Sequence, residues 1–181
     1  MSDWRRCIVM YLDFPGITRL AASGLASRLI RQIHRYANAN CALILSSHTG
    51  VYVWNDSILL VAHFCDHREK KTVLREQCDF KVAIGKRIRR ANYPYAIIVQ
   101  GKAFPLPDGG VAKSAKFKPQ IVVLKSSSWA MANCFHIESK LGGKKALWYL
   151  DSRITQGVKL KNKQRRYSLR LLPSKKKRYV Q

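Results

Sequence analysis

Acidic side chains are scarce in this 181-residue chain, which has 10 Asp and Glu residues against 34 Lys and Arg residues. The formal net charge of +24 predicts attraction to polyanions, that is to nucleic acid, nucleotides or an acidic partner. Long apolar runs are also missing, which predicts that no transmembrane helix and no signal peptide are present. Hydrophobic residues still make up 47% of the chain, enough for one domain with a real core.

Paired cysteine spacings are absent as well. The five cysteines are scattered, odd in number and nowhere spaced as Cys-x-x-Cys. Several lie in apolar segments, so we expect small buried hydrophobic side chains in a reduced, cytoplasmic protein. His63, Cys65 and His67 form a loose cluster, but no second pair of ligands accompanies them, which argues against a zinc site.

Apolar patterning and turn residues predict the order of the structural elements. Strands are expected at 5–14, 93–104 and 145–154, a β-hairpin at 50–64, and helices at 17–37, 67–91 and 126–142. The order β-α-β-β-α-β predicts an α/β (α+β) fold with a ferredoxin-like sheet, helices on one side and C-terminal additions. Residues 41–47, "CALILSS", either close the first helix or begin a short strand.

The C-terminal residues differ in composition from the rest of the chain. From Lys159 onward, basic side chains are interleaved with Tyr and Leu, and the chain ends in "PSKKKRYVQ". We therefore predict a domain at 1–158 and a basic C-terminal extension at 159–181. The extension is expected to bind nucleic acid weakly and without sequence preference.

A lone carboxylate, Asp13, lies inside the apolar run "IVMYLDFPGIT", directly before a Pro-Gly turn. Burial of such a group is costly unless it is paired or holds a metal. In a β-α-β-β order, the first strand lies beside the hairpin, whose turn "WNDS" carries Asp56. Two carboxylates that meet repel each other unless a divalent cation neutralises them. The pair predicts a metal site, and the alternative is two aspartates that only cap turns.

These two motifs resemble class III nucleotidyl cyclases. "YLDFPGIT" is similar to the first metal motif of that family, and "WNDSILLVAHF" is similar to its hairpin; the similarity extends in order from residue 8 to about 155. The resemblance implies that Asp13 and Asp56 hold two Mg²⁺ or Mn²⁺ ions that bridge a nucleoside triphosphate, with the Phe14 carbonyl as a further ligand. Asn55 stands where the family has glycine, and Asn tolerates the same backbone conformation.

The resemblance also implies a reaction. Backbone amides of Gly16, Ile17 and Thr18 would bind phosphate oxygens, and attack of the ribose O3′ on the α-phosphate would give a 3′,5′-cyclic nucleotide and pyrophosphate. Family members work as homodimers, in which one subunit supplies the metal site and the other supplies stabilising residues.

One motif departs from the family. The helix that carries an Asn and an Arg in class III cyclases reads "AMANCFHIE" here, so Asn133 and His136 are the nearest candidates for catalytic side chains. No arginine stands at the expected place, and Arg153 or Lys159 are the basic residues that could substitute.

Tyr52 lies four residues before Asp56, where purine cyclases of this class place a base-reading Lys or Glu. This resembles the bacterial pyrimidine cyclases of the Pycsar antiphage systems, which make cyclic UMP or cyclic CMP as an alarm signal. The implied substrate is therefore UTP or CTP. Two other functions remain open: an RNA-binding ferredoxin-like module, which the charge favours, and an inactive cyclase fold kept for protein contacts.

Overall fold

The described elements follow in the order β-α-β-β-α-β-α-β-α-β. The computed structural model describes residues 5–17, 19–20, 24–46, 49–88, 94–103, 129–141, 148–155 and 169–172. The strands in these ranges are β1 (Arg5–Asp13), β2 (Thr49–Trp54), β3 (Ser57–His63), β4 (Tyr95–Ala103), β5 (Trp148–Asp151) and β6 (Leu169–Leu172). The helices are α1 (Leu25–Ile44), α2 (His67–Arg87), α3 (Trp129–Leu141) and the short α4 (Ser152–Thr155). The sequence also predicts a loop at 105–119, from its Pro, Gly and Lys content, which leads into an apolar run at 120–125, and both ranges lie outside the described residues.

The strands form one mixed sheet in the order β2-β3-β1-β4-β5-β6. The first four strands pair antiparallel, whereas β5 runs parallel to both β4 and β6. This confirms the predicted βαββαβ order and its ferredoxin-like sheet. Strand β6 lies within the segment 159–181 and pairs with β5, while the domain boundary at residue 158 stays a prediction.

The hairpin is confirmed where local turn chemistry predicted it. Its two-residue turn is formed by Asn55 and Asp56, and Asn55 has a φ of 46°. Asn adopts this left-handed conformation more readily than most residues, which explains why it can stand in place of glycine.

One face of the sheet is covered by α1 and α2. Side chains of β1 that point to this face, such as Ile8 and Met10, pack with Leu29 and Ile33 of α1 in the larger core cluster. The predicted start of the first helix at residue 17 is wrong, because α1 begins after Gly24, whose φ is 67°. Residues 41–44 complete α1, which resolves the assignment that the sequence left open.

Helix α2 begins at the predicted residue because Asp66 caps it. The Asp66 carboxylate accepts a hydrogen bond from the Glu69 amide at 2.7 Å, and the Glu69 carboxylate accepts one from the Cys65 amide at 2.6 Å. These bonds satisfy amides that a helix start leaves without partners. His63 thus ends β3, whereas His67 begins α2.

The opposite face of the sheet is covered by α3. Every second residue of β1 points to this face, namely Cys7, Val9 and Tyr11. These side chains pack beneath α3 together with Cys134. Helix α3 approaches β4 closely, because a Cβ atom at Gly101 would lie 2.7 Å from the Ala130 Cβ. The helices of the βαββαβ unit thus lie on one side, and α3 is an addition on the other.

The expectation that several cysteines are small buried side chains is met. All five cysteines are free thiols, and Cys7, Cys41 and Cys134 are buried. Of the helices in the described ranges, none combines the length and the apolar character needed to cross a membrane.

Candidate active site

The ends of three strands meet at one edge of the sheet, around Asp13. This residue is the last of β1, and it pairs with Ser57 at the start of β3 and with Tyr95 at the start of β4. Directly paired residues of antiparallel strands place their side chains on the same face, with Cβ atoms about 4.5–5.5 Å apart. The pairing therefore gathers a carboxylate, a hydroxyl and a phenol on the face that carries α3.

A short chain of hydrogen bonds orients the Asp13 carboxylate. The Ser57 hydroxyl donates to Asp13 Oδ1 at 3.2 Å, and the Tyr11 hydroxyl lies 3.0 Å from Ser57 Oγ. Because the Ser57 proton points to Asp13, the Tyr11 hydroxyl donates to Ser57. Two buried residues thus hold one carboxylate oxygen in place.

Asp56 joins Asp13 through the hairpin turn. It precedes Ser57, and its backbone carbonyl accepts a hydrogen bond from the Phe14 amide at 3.3 Å. Burial raises the pKa of Asp13 to about 6, and the charge of Asp56 adds to the rise. Hydrogen bonds from Tyr95 and Ser57 oppose this rise in the pKa, whereas the charge of Glu138 adds to it. The charge of Asp56 therefore acts on Asp13, while the metal site that the sequence predicts for this pair stays a prediction.

Glu138 is a site residue that sequence reasoning missed. It lies on α3, where its carboxylate oxygen Oε1 accepts a hydrogen bond from the Tyr95 hydroxyl at 3.3 Å. Burial, together with the charges of Asp13 and Glu138, raises the pKa of Tyr95, and burial raises that of Tyr11 to about 12. Both phenols keep their protons at neutral pH and act as donors. The sequence signal for Glu138 was its position four residues, or one helical turn, after Cys134, which is buried against the sheet.

The acidic pair is chemically suited to a hard divalent cation. Carboxylate oxygens are the ligands that Mg²⁺ and Mn²⁺ favour, and the coupling between Asp13 and Asp56 is a cost that such a cation offsets. In the described part of the chain, no group of three or more His, Cys, Asp or Glu side chains is placed to hold a metal ion. Two carboxylates would leave several coordination positions for substrate oxygens.

The turn after β1 is compact. Phe14 is fully buried, Gly16 has a φ of 92°, and the Ile17 carbonyl accepts a hydrogen bond from the Leu20 amide at 2.9 Å. Only glycine adopts this backbone conformation without strain, which explains its place in the turn. Thr18 lies outside the described residues.

Tyr52 lies on the same face of the sheet as the acidic pair. It is opposite Leu59 in β3, which in turn is opposite Tyr11 in β1. Tyr52 is therefore two strands from β1 and level with Tyr11, two residues along β1 from Asp13. Burial raises its pKa, and the phenol therefore remains a hydrogen-bond donor at neutral pH. Its place beside the site is compatible with contact to a bound base.

The remaining candidates are divided between two places. Asn133 and His136 lie one turn apart on α3, the first half-buried and the second exposed. Arg153, in contrast, is held by an ion pair with Asp151 at the end of β5. From the strand pairing, Asp151 lies about 13 Å along the sheet from Tyr95, at roughly 3.3 Å per residue. Within one chain, Arg153 is therefore not brought to the acidic pair, and Lys159 lies outside the described residues.

A second contact that the sequence did not predict supports the turn. His34 of α1 places its Nε2 atom 3.0 Å from the Asn55 carbonyl oxygen. The bond ties α1 to the turn that carries Asp56, and it forms where Asn55 has its left-handed backbone conformation. The position of Asp56 thus depends on both faces of the fold.

The chain thus has an α/β fold with a ferredoxin-like sheet, and Asp13 and Asp56 lie near each other at one end of its strands. No protein-family model matches the chain, and no curated protein matches it.

Three solved structures with similarity to this chain are guanylyl or adenylyl cyclases. The guanylyl cyclase Cya2 has 14% identity and a TM-score of 0.46 over 76% of this chain and 71% of its own. The adenylyl cyclase CyaB from P. aeruginosa has 13% identity and a TM-score of 0.41, covering 55% and 59%. The dimeric guanylyl cyclase domain of the RhoGC fusion protein from the fungus Blastocladiella emersonii has 16% identity and a TM-score of 0.37. The match covers 58% of this chain and 63% of that domain.

Proposed function

We propose that this protein is a nucleotidyl cyclase that converts UTP or CTP to the 3′,5′-cyclic monophosphate and pyrophosphate. The observation that carries the proposal is the position of Asp13, which pairs with Ser57 directly after Asp56, together with the hydrogen bond from the Phe14 amide to the Asp56 carbonyl. A pair of carboxylates in this arrangement is suited to the two cations that phosphoryl-transfer enzymes hold about 3.5–4 Å apart. The similarity of both motifs to class III cyclases supports the same reaction.

Asp13 and Asp56 would hold the cations, with the Phe14 carbonyl as a further ligand. Bound Mg²⁺ or Mn²⁺ would lower the pKa of the ribose 3′-hydroxyl and neutralise charge on the leaving pyrophosphate. Ser57 and Tyr11 keep the Asp13 carboxylate oriented, so little reorganisation is needed when substrate binds.

Phosphate oxygens of the substrate would be bound by backbone amides in the turn of Gly16, Ile17 and Thr18. In the reaction, O3′ forms a bond to the α-phosphorus while the bond to the pyrophosphate oxygen breaks. The hydroxyl proton leaves to solvent, and pyrophosphate carries away the bonding electrons. The turn therefore serves binding and orientation, and it takes no part in proton transfer.

A second subunit would complete the site. Arg153 is remote from the acidic pair of its own chain, so a homodimer is needed if Arg153, Asn133 and His136 are to stabilise the transition state. We propose such a dimer, in which each active site combines residues of both chains.

Tyr52 supports the choice of a pyrimidine. A phenol on the face of the acidic pair fills volume that the second ring of a purine would need, while its hydroxyl remains a donor. The proposed role of the product is that of an antiphage second messenger. The five free cysteines are those expected of a protein that works in the reducing cytoplasm.

Nucleic-acid binding is the second candidate function. Helix α1 exposes Arg28, Arg31 and Arg35 and contains no acidic residue along its length. If binding of this kind were the main function, affinity for RNA would be high at 0.2 M salt and independent of the acidic pair. We expect weak binding with a steep salt dependence.

The test is incubation of the protein with each of the four nucleoside triphosphates and Mn²⁺, followed by mass spectrometry of the products. We expect cyclic UMP or cyclic CMP from the unmodified protein and none from Asp13→Asn or Asp56→Asn. The matched control is Asp79→Asn, because Asp79 is exposed on α2 and pairs only with Arg75 among the described residues. Failure of all four nucleotides to react would reject the enzyme and leave the two alternatives.

A further inference from the structure

The hairpin turn that carries Asp56 is held from two sides. His34 of α1 donates from Nε2 to the Asn55 carbonyl at 3.0 Å, and the Phe14 amide donates to the Asp56 carbonyl at 3.3 Å. A carbonyl only accepts hydrogen bonds, so Nε2 carries a proton, in the neutral Nε2–H tautomer as in the imidazolium. Both carbonyls of this two-residue turn therefore have a partner outside the hairpin.

These two bonds fix the backbone on both sides of the Asp56 Cα atom. The Asn55 carbonyl lies in the planar peptide unit before this atom, and the Asp56 carbonyl lies in the unit after it. The orientations of two successive peptide units determine φ and ψ of the residue between them, and with them the direction of its Cα–Cβ bond. The direction in which Asp56 projects its side chain thus depends on His34 and on the Phe14 amide.

The bond from His34 connects the turn to the core. His34 follows Ile33, which is fully buried, so the packing of α1 on the sheet fixes its backbone position. Asn55 has a φ of 46°, a left-handed conformation that costs free energy for any residue with a side chain and that surrounding contacts have to maintain. The helix therefore supports a turn residue whose backbone conformation is unfavourable by itself.

We propose that His34 is a positioning residue for cation binding, which holds the peptide unit between Asn55 and Asp56 so that the Asp56 carboxylate is oriented to bind a divalent cation together with Asp13. The inference rests on the proposed function, because it requires that the two aspartates bind a cation. It adds a residue from the helix on the other face of the sheet, which acts through the backbone of Asn55. Residues that orient metal ligands in this way typically contribute about 10- to 100-fold to metal affinity.

The experiment measures Mn²⁺ affinity by calorimetry on the full-length protein without nucleotide. His34→Phe keeps a ring and removes the donor, so it should bind Mn²⁺ about tenfold more weakly than the unmodified protein. His34→Gln keeps an N–H donor and should recover most of the affinity. Equal weakening by both variants would show that the hydrogen bond is not required and would overturn the inference. Asn40→Ala is the matched control with unchanged affinity, since the Asn40 side chain donates to the Tyr36 carbonyl within α1.

A second measurement needs no cation. In the metal-free protein, the Phe14 amide reports how firmly the turn is held, because it donates to the Asp56 carbonyl. Its hydrogen–deuterium exchange, followed by NMR, should be about fivefold faster in His34→Phe, the factor expected for loss of one neutral hydrogen bond. Amides in the middle of β1 and β3 should exchange as before. Equal acceleration throughout both strands would indicate a general role in stability and would overturn the inference.

Failure of the inference is distinguishable from failure of the proposed metal site. If Asp56→Asn binds Mn²⁺ far more weakly than the unmodified protein, yet His34→Phe binds it equally well, the inference is wrong and the metal site stands. If Asp56→Asn binds Mn²⁺ as the unmodified protein does, or if neither binds it, the metal site itself is rejected and the inference falls with it.

Discussion

Gly101 of β4 lies directly beneath Ala130 of α3, and a Cβ atom at Gly101 would be only 2.7 Å from the Ala130 Cβ. Gly101→Ala should therefore force α3 away from the sheet and lower the free energy of unfolding by about 1–3 kcal/mol, the usual cost of overpacking. Urea denaturation measures this change.

The variant Ala130→Gly provides the control for that prediction. It removes the opposing Cβ, so the double variant should recover most of the loss, apart from about 1 kcal/mol for glycine in a helix. Equal stability of Gly101→Ala and the unmodified protein would mean that α3 is not packed closely on β4.

The stability of the protein should depend on the protonation of Asp13. Its pKa in the folded protein is about 6, above the ordinary value of 3.8. Between these pH values the folded protein binds a proton that the unfolded chain has released, so the free energy of unfolding falls as pH rises through this window. Above pH 6 the charged Asp13 carboxylate destabilises the folded protein fully. The rise in its pKa corresponds to roughly 3 kcal/mol, and partial exposure of the group reduces this value. Asp13→Asn should therefore be more stable than the unmodified protein by about 1–2 kcal/mol.

Urea titrations between pH 4 and pH 8 in metal-free buffer measure this difference. Asp79→Asn serves as the control, since its carboxylate is exposed and its pairing with Arg75 is confined to α2. Parallel curves for the unmodified protein and Asp13→Asn would contradict the raised pKa.

A buried lysine should make the free energy of unfolding rise with pH at higher pH values. Lys81 is fully buried, with its ammonium 3.8 Å from the centroid of the Trp148 ring. Burial lowers its pKa to about 7, from 10.5. Between these values the unfolded chain binds the additional proton, so stability contributed by this group increases with pH. Lys81→Met should remove this increase and raise the free energy of unfolding at pH 7 by about 2–4 kcal/mol, less the lost cation–π contact.

Urea denaturation of the unmodified protein and of Lys81→Met at pH 7 and pH 9.5 measures this effect. The difference between their free energies of unfolding should be smaller at pH 9.5 than at pH 7. A constant difference between them would show that Lys81 stays charged throughout.

The choice of base should change with Tyr52. Tyr52→Ala opens volume on the face of the acidic pair, so the preference for pyrimidines over purines should fall, by up to the roughly 10- to 200-fold that a filled pocket provides. Tyr52→Phe keeps the volume and removes the hydroxyl, so it should lower pyrimidine turnover and leave purines excluded. A four-way nucleotide competition measures both effects, with Tyr36→Phe as control. Equal yields of cyclic AMP and cyclic UMP from the unmodified protein would reject this role.

Local chemistry explains what was predictable from the sequence. The hairpin followed from its turn residues, and the placement of the end of β1 beside the hairpin turn followed from strand order. The start of α1 was mispredicted because Ile17 has apolar spacing typical of the helix, whereas its backbone belongs to a compact turn and its side chain to the core. Local patterning does not reveal such a tertiary role.

The contacts of α3 and α1 with the site were beyond the sequence. Which side of α3 faces the sheet depends on the fit of Ala130 against Gly101, and this contact in turn determines that Glu138 reaches Tyr95. The bond from His34 to the Asn55 carbonyl likewise joins residues 21 apart on different elements. Both depend on packing in three dimensions, for which a single sequence gives no periodic signal.

The chain order of the site determines when it can form. Asp13, Asp56 and Ser57 are synthesised well before α3, whose buried Cys134 contacts the Val9 carbonyl across 125 residues of sequence. Domains emerge from the ribosome with their N-terminal part first, and contacts this distant close late in folding. The two carboxylates are therefore translated before the helix that covers their face of the sheet.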